Sequence, residues 1–443
     1  MRSVAATGGC LFAVLTATTL PAGDWMQFRG PNGSARSSDA APVHWSADEN
    51  VQWKTPLPGP GSSSPIVVGE RVFVTCYSGY GVDPRDAGQL EDLQRHLVCI
   101  DGNTGRILWD QTVAVEPPED PYRGYINEHG YASSTPASDG ERVYVFYGKS
   151  GVLAYDLDGQ RLWKAGVGKE SGRMRWGSAA SPVVYKNLVV VNASDESQSV
   201  RGLDKLTGRE VWKAEASTLE QVYGTPALVE LPDGRAEFAL AVPGELWGLD
   251  AATGKLNWYA EARFNSPVNP SAVVQGDVVY ALGGRGAGMI SVRAGGKGDV
   301  TDSNVLWTSQ ATSYVPSPVL HEGRLYLVDD NGVAVCVDAK SGDVENRRRL
   351  GSAPAGPGGP GGGGRGGGRG YYSSVVVAGD KLYAVSRKNG TFVLTATPEL
   401  EQLAQNPLDD DSDFNASPAV DDGRLLLRSN QFLYCIAENS ATK

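Results

Sequence analysis

The chain has 443 residues, of which 41% are hydrophobic and 21% are charged, as in a soluble protein that can bury a large core. Its formal net charge of −11 at pH 7 argues against nucleic acids and anionic membranes as partners. No apolar run of transmembrane length occurs after the first residues, so no internal membrane-spanning helix is expected.

Residues 1–22 are typical of a signal peptide. Arg2 supplies a weak positive charge, residues 10–20 are apolar, and Leu20-Pro21-Ala22 offers a cleavage site. Cys10 precedes the apolar run, whereas a lipoprotein cysteine would follow it, and this weakens the case for a lipid anchor. The sequence therefore predicts a periplasmic or secreted protein that starts with an N-terminal extension over residues 23–49.

One unit recurs from residue 50 to residue 440 with a period of about 46 residues, which indicates a propeller or a solenoid. Each unit opens with Ser or Thr, continues with strands of alternating burial, and closes with Asp-x-x-Thr-Gly-x-x-x-Trp or a remnant of it. Four antiparallel strands in each unit make a propeller blade, so we predict an all-β, eight-bladed β-propeller. The eight openings are Ser64, Thr135, Ser181, Thr225, Ser271, Ser317, Ser374 and Ser417.

The chain ends predict how the ring closes. The last unit, 416–438, stops after its third strand, and residues 50–57 look like a fourth strand without partners of its own. Joining the two removes the open edges, so we predict that the N-terminal strand completes the last blade. Asn346 replaces the tryptophan of blade 6 and blade 7 has no clear copy, so we expect these two blades to be irregular. The tryptophans expected to pack between blades are Trp53, Trp109, Trp163, Trp212, Trp258 and Trp307.

The cysteines occur at repeated positions. Cys99, Cys336 and Cys435 stand at one equivalent small-residue position in three different blades, so we interpret them as small buried hydrophobes. Cys76 lies on the strand next to Cys99, and the sequence does not decide whether these two form a disulfide.

The Ala/Gly/Cys-x-Asp-x-x-Thr-Gly-x-x-x-Trp unit resembles the tryptophan-docking repeat of quinoprotein dehydrogenases. It equally resembles non-enzymatic PQQ-like propellers, including BamB, the scaffold lipoprotein of the outer-membrane barrel-assembly machinery. Residues 25–33 also resemble the start of many secreted PQQ-like propeller proteins of planctomycete-type bacteria. For an enzyme the resemblance implies PQQ and Ca²⁺ as cofactors. The chain lacks the adjacent cysteine pair of quinoprotein alcohol dehydrogenases and any convincing catalytic or calcium set at matching positions.

The residues before the opening Ser/Thr of a blade are expected to line the central funnel, the face that holds the cofactor in quinoprotein dehydrogenases. Aromatic rings with one arginine suit a flat anionic ligand, and an ordinary hydrated funnel lining is the alternative. The candidate funnel residues are His129, Tyr131, Arg175, Trp176, Tyr223, Asn269, Tyr314, Tyr372 and Asn415.

Three departures from the repeat draw attention. Residues 78–96 and 116–131 are long connections that we expect to cover the funnel or to form a partner surface. Residues 353–370 are a Gly-rich insertion that we predict to be disordered.

An acidic cluster gives a weak calcium candidate. It consists of Asp409, Asp411 and Asp413, but Phe414 and Val420 stand where an EF-hand loop has Gly and Glu. A solvated acidic loop is the favoured interpretation.

The absence of a recognised catalytic set favours a monomeric, non-enzymatic, secreted or periplasmic scaffold that binds a protein or an envelope ligand. The alternative is a PQQ-dependent dehydrogenase that oxidises an alcohol or a sugar. A third hypothesis is an enzyme that cleaves polysaccharide with paired carboxylates, whose spacing a sequence does not give.

Overall fold

The computed structural model describes residues 25–83, 85–351 and 370–438. Eight antiparallel sheets follow one another along the chain and form an eight-bladed β-propeller. The predicted signal peptide, 1–22, and the predicted Gly-rich insertion, apart from Gly370, lie outside the described residues.

Each blade has four strands, numbered 1 to 4 from the channel outwards. In blades 1 and 2 the strands are Ile66–Val68, Arg71–Ser78, Gln94–Asp101 and Ile107–Ala114, then Ala137–Ser138, Arg142–Phe146, Val152–Asp156 and Arg161–Ala165. In blades 3 and 4 they are Val183–Tyr185, Leu188–Ala193, Ser199–Asp204 and Glu210–Glu215, then Ala227–Glu230, Ala236–Val242, Glu245–Asp250 and Leu256–Glu261.

The second half of the ring repeats this order. In blades 5 and 6 the strands are Val273–Gln275, Val278–Leu282, Met289–Arg293 and Val305–Ser309, then Val319–His321, Arg324–Val328, Val333–Asp338 and Val344–Arg349. In blades 7 and 8 they are Val376–Ala378, Lys381–Val385, Thr391–Thr395 and Gln402–Asn406, then Ala419–Asp421, Arg424–Arg428, Phe432–Ile436 and Val51–Pro56.

Two short strands extend these sheets: Arg36–Ser37 pairs with strand 1 of blade 7, and Gly298–Asp299 pairs with strand 4 of blade 4. The helices are single turns. They are Ile126–His129, Ser194–Ser197 and Thr301–Asn304, with 3₁₀ turns at Pro31–Gly33, Leu90–Asp92, Gly148–Ser150 and Ser217–Leu219.

The core lies between the blades. Strands 2 and 3 of a blade are covered on both faces by neighbouring blades, so consecutive residues such as Val72, Phe73 and Val74 are all buried. Strand 4 alternates instead, and in Val51–Pro56 only Trp53 and Thr55 are buried. This difference explains why the second strands are continuously apolar and the fourth strands are amphipathic.

The eight opening residues form a closed hydrogen-bonded ring around the channel. The backbone N–H of each donates to the side-chain hydroxyl of the next, at 2.9–3.1 Å, and the Ser417 N–H closes the ring on Ser64 Oγ. A short hydroxyl side chain is needed because it must accept this bond where eight strands converge.

The N-terminal strand belongs to blade 8. Val51–Pro56 pairs antiparallel with Phe432–Ile436, and Trp53 lies opposite Cys435. Strands from the N-terminal and C-terminal parts of the chain therefore share one sheet.

Five of the six tryptophans predicted to pack between blades bridge neighbouring blades. The ring of Trp163 in blade 2 lies against Gly208 in the Thr-Gly turn of blade 3, and its Nε1–H donates to the Lys205 carbonyl at 3.0 Å. The same ring-to-glycine contact joins Trp53 to Gly105, Trp109 to Gly159, Trp212 to Gly254 and Trp307 to Gly342. Trp258 differs, because its Nε1–H donates to Glu237 Oε2 of its own blade at 2.6 Å.

Blades 6 and 7 correct the expectation of irregularity. Both have four antiparallel strands with the register shift between strands 3 and 4 that other blades also have. Asn346 Nδ2 donates to the Pro398 carbonyl of blade 7 at 2.9 Å. The amide thus supplies the inter-blade bond that the indole supplies elsewhere.

The four cysteines that the structure describes are not paired with one another. Cys76, Cys99, Cys336 and Cys435 are buried free thiols, which excludes the Cys76–Cys99 disulfide that the sequence left open. Cys76 lies opposite His96 and Cys99 lies opposite Phe73 in the ladder. Within the part of the chain that the structure describes, no helix is long and apolar enough to cross a membrane.

The N-terminal extension crosses one mouth of the channel. The carbonyls of Trp25 and Met26 accept hydrogen bonds from Val67 in blade 1 and Ser138 in blade 2, at 3.0 and 2.8 Å. Arg36–Ser37 then adds as a parallel strand to blade 7. We call the mouth crossed by Trp25–Ser37 the turn face, because the hairpins between strands 1 and 2 open there, and the opposite mouth the funnel face.

Candidate functional site

The connection between blades 1 and 2 covers the funnel face. Its helix, Ile126–His129, reaches across the opening to blades 7 and 8. Glu128 forms an ion pair with Arg387 at 2.8 Å, and its carbonyl accepts a hydrogen bond from Asn415 Nδ2 at 2.9 Å. Tyr125 packs on Trp176 with ring centroids 4.3 Å apart. The connection is therefore held at several points around the rim.

Four tyrosines anchor this cover to the long hairpin of blade 1. Tyr77, Tyr80, Tyr122 and Tyr131 form a cluster with ring centroids 5.5–6.4 Å apart. The Tyr131 hydroxyl donates to the Asp120 carbonyl at 2.8 Å. Edge-on and tilted ring contacts of Tyr80 with Tyr122 and Tyr131, and the hydrogen bond from the Tyr122 backbone N–H to the Tyr80 hydroxyl at 3.0 Å, join residues 78–96 and 116–131 into one unit on the funnel face.

Beneath the cover lies a cavity of about 160 Å³. Its floor is the ring of eight hydroxyls, and Phe28 reaches it from the turn face. Its polar walls include Glu128 and Asn415, and the Oδ1 atom of Asn415 has no hydrogen-bond partner among the described residues. The predicted funnel residues that line the cavity are His129, Trp176, Tyr223, Asn269, Tyr314, Tyr372 and Asn415.

Two predicted funnel residues lie elsewhere. Tyr131 is part of the tyrosine cluster and not of the cavity wall, because the connection turns away from the axis before it enters blade 2. Arg175 is exposed on the loop between blades 2 and 3 and does not line the cavity. Sequence position relative to the opening Ser/Thr does not show which way an irregular loop turns.

The arginines that do face the aromatic wall come from other loops. Arg285 lies 4.3 Å above the Tyr314 ring, and Arg387 lies 4.7 Å above the Tyr372 ring. Both occur between strands 2 and 3 of their blades, and these connections open on the funnel face. The position of these two arginines within the repeat could therefore have predicted their place at the funnel face. The places of Tyr125 and Glu128 could not be predicted in this way, because they depend on the path of a long connection.

The titratable groups at the cavity are not poised for acid–base chemistry. Burial lowers the pKa of His129 to about 4, so its ring is neutral at pH 7, and Nδ1 lies 2.6 Å from Ser133 Oγ. The carboxylate of Glu128 is neutralised by Arg387. Burial raises the pKa of Tyr372 to about 12, which keeps this phenol protonated.

A buried charged cluster lies behind the funnel wall, between blades 2 and 3. Asp195 and Glu196 occupy the helix Ser194–Ser197, and both Asp195 oxygens lie 3.3 Å from the hydroxyl of Tyr223. Burial and the neighbouring Glu196 charge raise the pKa of Asp195 to about 8, and burial raises that of Glu196 to about 7. Sequence reasoning missed this pair, although the Ser-Asp-Glu-Ser run at a funnel-face connection was visible.

Cations of blade 7 pair with one carboxylate of the acidic loop that connects blades 7 and 8. The Asp413 carboxylate lies 2.6 Å from Arg387 and 3.0 Å from Lys388. Among residues 25–83, 85–351 and 370–438, no group of three His, Cys, Asp or Glu side chains could hold a metal ion. Of the weak calcium candidate Asp409, Asp411 and Asp413, only the Asp413 carboxylate forms ion pairs in the part of the chain that the structure describes, and both are with cations of blade 7.

Comparison with known proteins identifies the repeat. The family model described as outer membrane protein assembly factor BamB matches residues 94–348, more than half of the chain. None of the curated proteins matches the sequence.

Two solved structures illustrate the shared fold. BamB from Moraxella catarrhalis superposes with a TM-score of 0.58 at 12% identity, covering 87% of this chain and 99% of that one. The quinohemoprotein alcohol dehydrogenase from Comamonas testosteroni has a TM-score of 0.61 at 12% identity, covering 96% of this chain and 82% of that one. At this identity the likeness extends to the fold alone.

Proposed function

Because the chain belongs to the family of the outer membrane protein assembly factor BamB, we propose that it is a non-enzymatic scaffold of the cell envelope. In this proposal the protein is secreted or periplasmic, acts as a monomer, and binds a partner protein or another envelope ligand through its surface. All eight blades are present. The choice between a scaffold and an enzyme rests on the residues and the cavity at the funnel face.

The observation that carries this proposal is the covered funnel. The helix Ile126–His129 closes the funnel face through Glu128 and Arg387, and Trp25–Ser37 crosses the turn face. The half-open cavity beneath the cover, about 160 Å³, is smaller than the roughly 300–1,000 Å³ of common ligand and cofactor sites. A covered, small cavity with a neutral histidine and a paired carboxylate supports a scaffold better than a catalytic site.

The residues present do not fit PQQ with calcium. PQQ is a flat polyanion, and the aromatic wall with Arg285 and Arg387 would suit such a ligand. Calcium needs about six to eight oxygen ligands, however, and the cavity wall offers a single carboxylate, Glu128, which is already paired. We therefore derive no reaction through this cofactor.

The partner surface in this proposal is the unit of residues 78–96 and 116–131. It projects from the funnel face, is fixed by the tyrosine cluster, and exposes the apolar side chain of Val82, which is 49% exposed. Long loops on a rigid scaffold are common binding surfaces.

The first test is titration of the purified protein with PQQ, with and without Ca²⁺, by calorimetry. We expect no saturable binding at high micromolar PQQ, because the cover and the missing calcium ligands oppose it. Micromolar, calcium-dependent binding would contradict the scaffold proposal, and dye-linked oxidation of alcohols and sugars would then be measured.

The second test is site-specific photo-crosslinking in the native host. A crosslinking residue replaces Val82 or, on the other loop, the exposed Arg123, and the matched control replaces Leu206, which is 56% exposed on a turn-face hairpin. We expect one identical adduct from Val82 and Arg123 and none from Leu206. Equal adducts from all three positions, or none from the two loops, would argue against this surface.

A further inference from the structure

Arg29 is a buried arginine with too few partners. It is 1% exposed, and its hydrogen bond is from one Nη to the Pro318 carbonyl. Its Nε and other Nη have no hydrogen-bond partner among the described residues, and no carboxylate in that part of the chain forms an ion pair with it. An unpaired buried guanidinium is costly, since desolvation is not offset by an opposite charge.

The position of Arg29 is determined by a tight segment. Trp25 packs its ring against Gly30, where a Cβ would lie 2.6 Å from the indole, and Ala35 N–H donates to the Arg29 carbonyl at 2.7 Å. These contacts fold residues 25–35 compactly and hold Arg29 inside the mouth of the channel. The Arg29 side chain therefore does not reach solvent, where water would supply the missing hydrogen bonds.

Arg29 lines a second cavity, distinct from the funnel. This cavity, about 550 Å³, lies on the turn face between residues 25–39 and the first strands of blades 3 and 4. Its wall is mostly apolar and includes Phe28, Val183 and Leu228. The volume lies within the common range for small organic ligands.

The other charges at this cavity do not compensate Arg29. Asp139 lies 2.9 Å from Lys205 and is neutralised by it. Asp39 is half-buried and its contact is a backbone hydrogen bond to Ser37 Oγ. Arg36 adds a second positive charge at the exposed rim and donates to the Leu320 carbonyl at 3.3 Å. The buried end of the cavity is thus cationic, although the whole chain is acidic.

Trp25 adds an independent observation. It is 1% exposed, lines the same cavity, and its Nε1–H has no partner among the residues that the structure describes. Two buried residues that line one mostly apolar cavity therefore carry donor groups without an acceptor.

We propose that the turn-face cavity is a binding site for a small organic acid, in which Arg29 holds the acid group and the apolar wall holds a hydrophobic body. A carboxylate and a phosphate share the chemistry that a guanidinium recognises, since both offer two oxygens to its parallel N–H groups. Burial lowers the pKa of Arg29 to about 9, so the side chain is still charged at neutral pH.

The test uses three probes with one aromatic body. Purified protein that retains the segment from Trp25 is titrated by calorimetry with 2-naphthoate, 2-naphthyl phosphate and the neutral 2-naphthamide. We expect saturable binding of at least one anion. The affinity for the amide should be lower by about tenfold or more, because the amide lacks the charge. The stronger of the two anions identifies the acid group.

Three variants locate the binding. Arg29→Gln is expected to weaken anion binding about tenfold or more, and Arg36→Gln, the matched control at the exposed rim, by less than about threefold. Leu228→Trp fills the cavity from blade 4 and leaves Arg29 in place, so it tests the site even where Arg29→Gln does not fold. The proposal is overturned if the amide binds as well as the anions, if Leu228→Trp leaves binding intact, or if neither anion binds at millimolar concentration.

Discussion

Trp163 and Gly208 show how one blade recognises the next. Gly208 has φ +73°, a conformation that L side chains rarely adopt, and an added Cβ would lie 2.6 Å from the Trp163 ring. The glycine is therefore required twice, once by its own backbone and once by the indole that lies on it.

We predict that Gly208→Ala lowers the free energy of unfolding by about 2–5 kcal/mol, the sum of left-handed backbone strain and overpacking. Gly234→Ala is the matched control, because Gly234 has φ +84° but no atom within 4 Å of its Cβ position. The control should lose only the part of the free energy of unfolding that comes from left-handed backbone strain, about 1–2 kcal/mol. Urea unfolding measures both, and equal losses would show that the indole contact is unimportant.

Asn346 substitutes for the missing tryptophan of blade 6. Removing its amide in Asn346→Ala should lower the free energy of unfolding by about 0.5–1.5 kcal/mol, because the bond to the Pro398 carbonyl is lost. Arg348→Ala, at an exposed position of the same strand, should change it by less than about 0.5 kcal/mol. Denaturant midpoints of the two variants test this, and indistinguishable midpoints would refute it.

Asp195 and Glu196 predict a stability that falls as pH rises. Their pKa values are raised to about 8 and about 7, whereas the unfolded chain releases both protons near pH 4. The folded protein therefore binds more protons between these limits, and its stability decreases from about pH 4 to about pH 8. The groups that face the pair are Tyr223, Lys149, Glu119, Asp120 and Ser178.

The measurement is the melting temperature from pH 5 to pH 8.5, compared between the unchanged protein and the double variant Asp195→Asn/Glu196→Gln. The variant cannot ionise at these positions, so we expect its curve to fall less with pH. Parallel curves would mean that the pair does not titrate in this range. The comparison removes the opposite contributions of exposed carboxylates elsewhere.

Arg387 fastens the cover of the funnel. It contacts Glu128 at 2.8 Å and Asp413 at 2.6 Å, and it is 6% exposed. Arg387→Met leaves both carboxylates without this partner, so the cover should open more often. Hydrogen exchange of the backbone amides in Ile126–His129 should accelerate by about tenfold or more. The amide of Val190, in strand 2 of blade 3, should stay protected. Unchanged exchange in the helix would show that the tyrosine cluster alone holds the cover.

The sequence was sufficient for the architecture because the signals of a blade are local. Ser or Thr at each opening, Gly in each turn and a small residue opposite each Trp lie within a few tens of residues, and their recurrence predicts blade number. The same logic placed Trp176, Tyr223 and Tyr314 at the cavity. It failed for Tyr131 and Arg175, which belong to irregular connections.

By itself, the sequence determined the eight-bladed repeat, because each blade is specified by short-range turn chemistry and alternation. Only the tertiary structure decided what the channel contains. The contact between Glu128 and Arg387 joins blades at opposite parts of the chain, and it covers the funnel. The isolation of Arg29 likewise depends on which blades surround it. Such relationships are absent from any single repeat, because burial and charge pairing arise only when distant segments pack together.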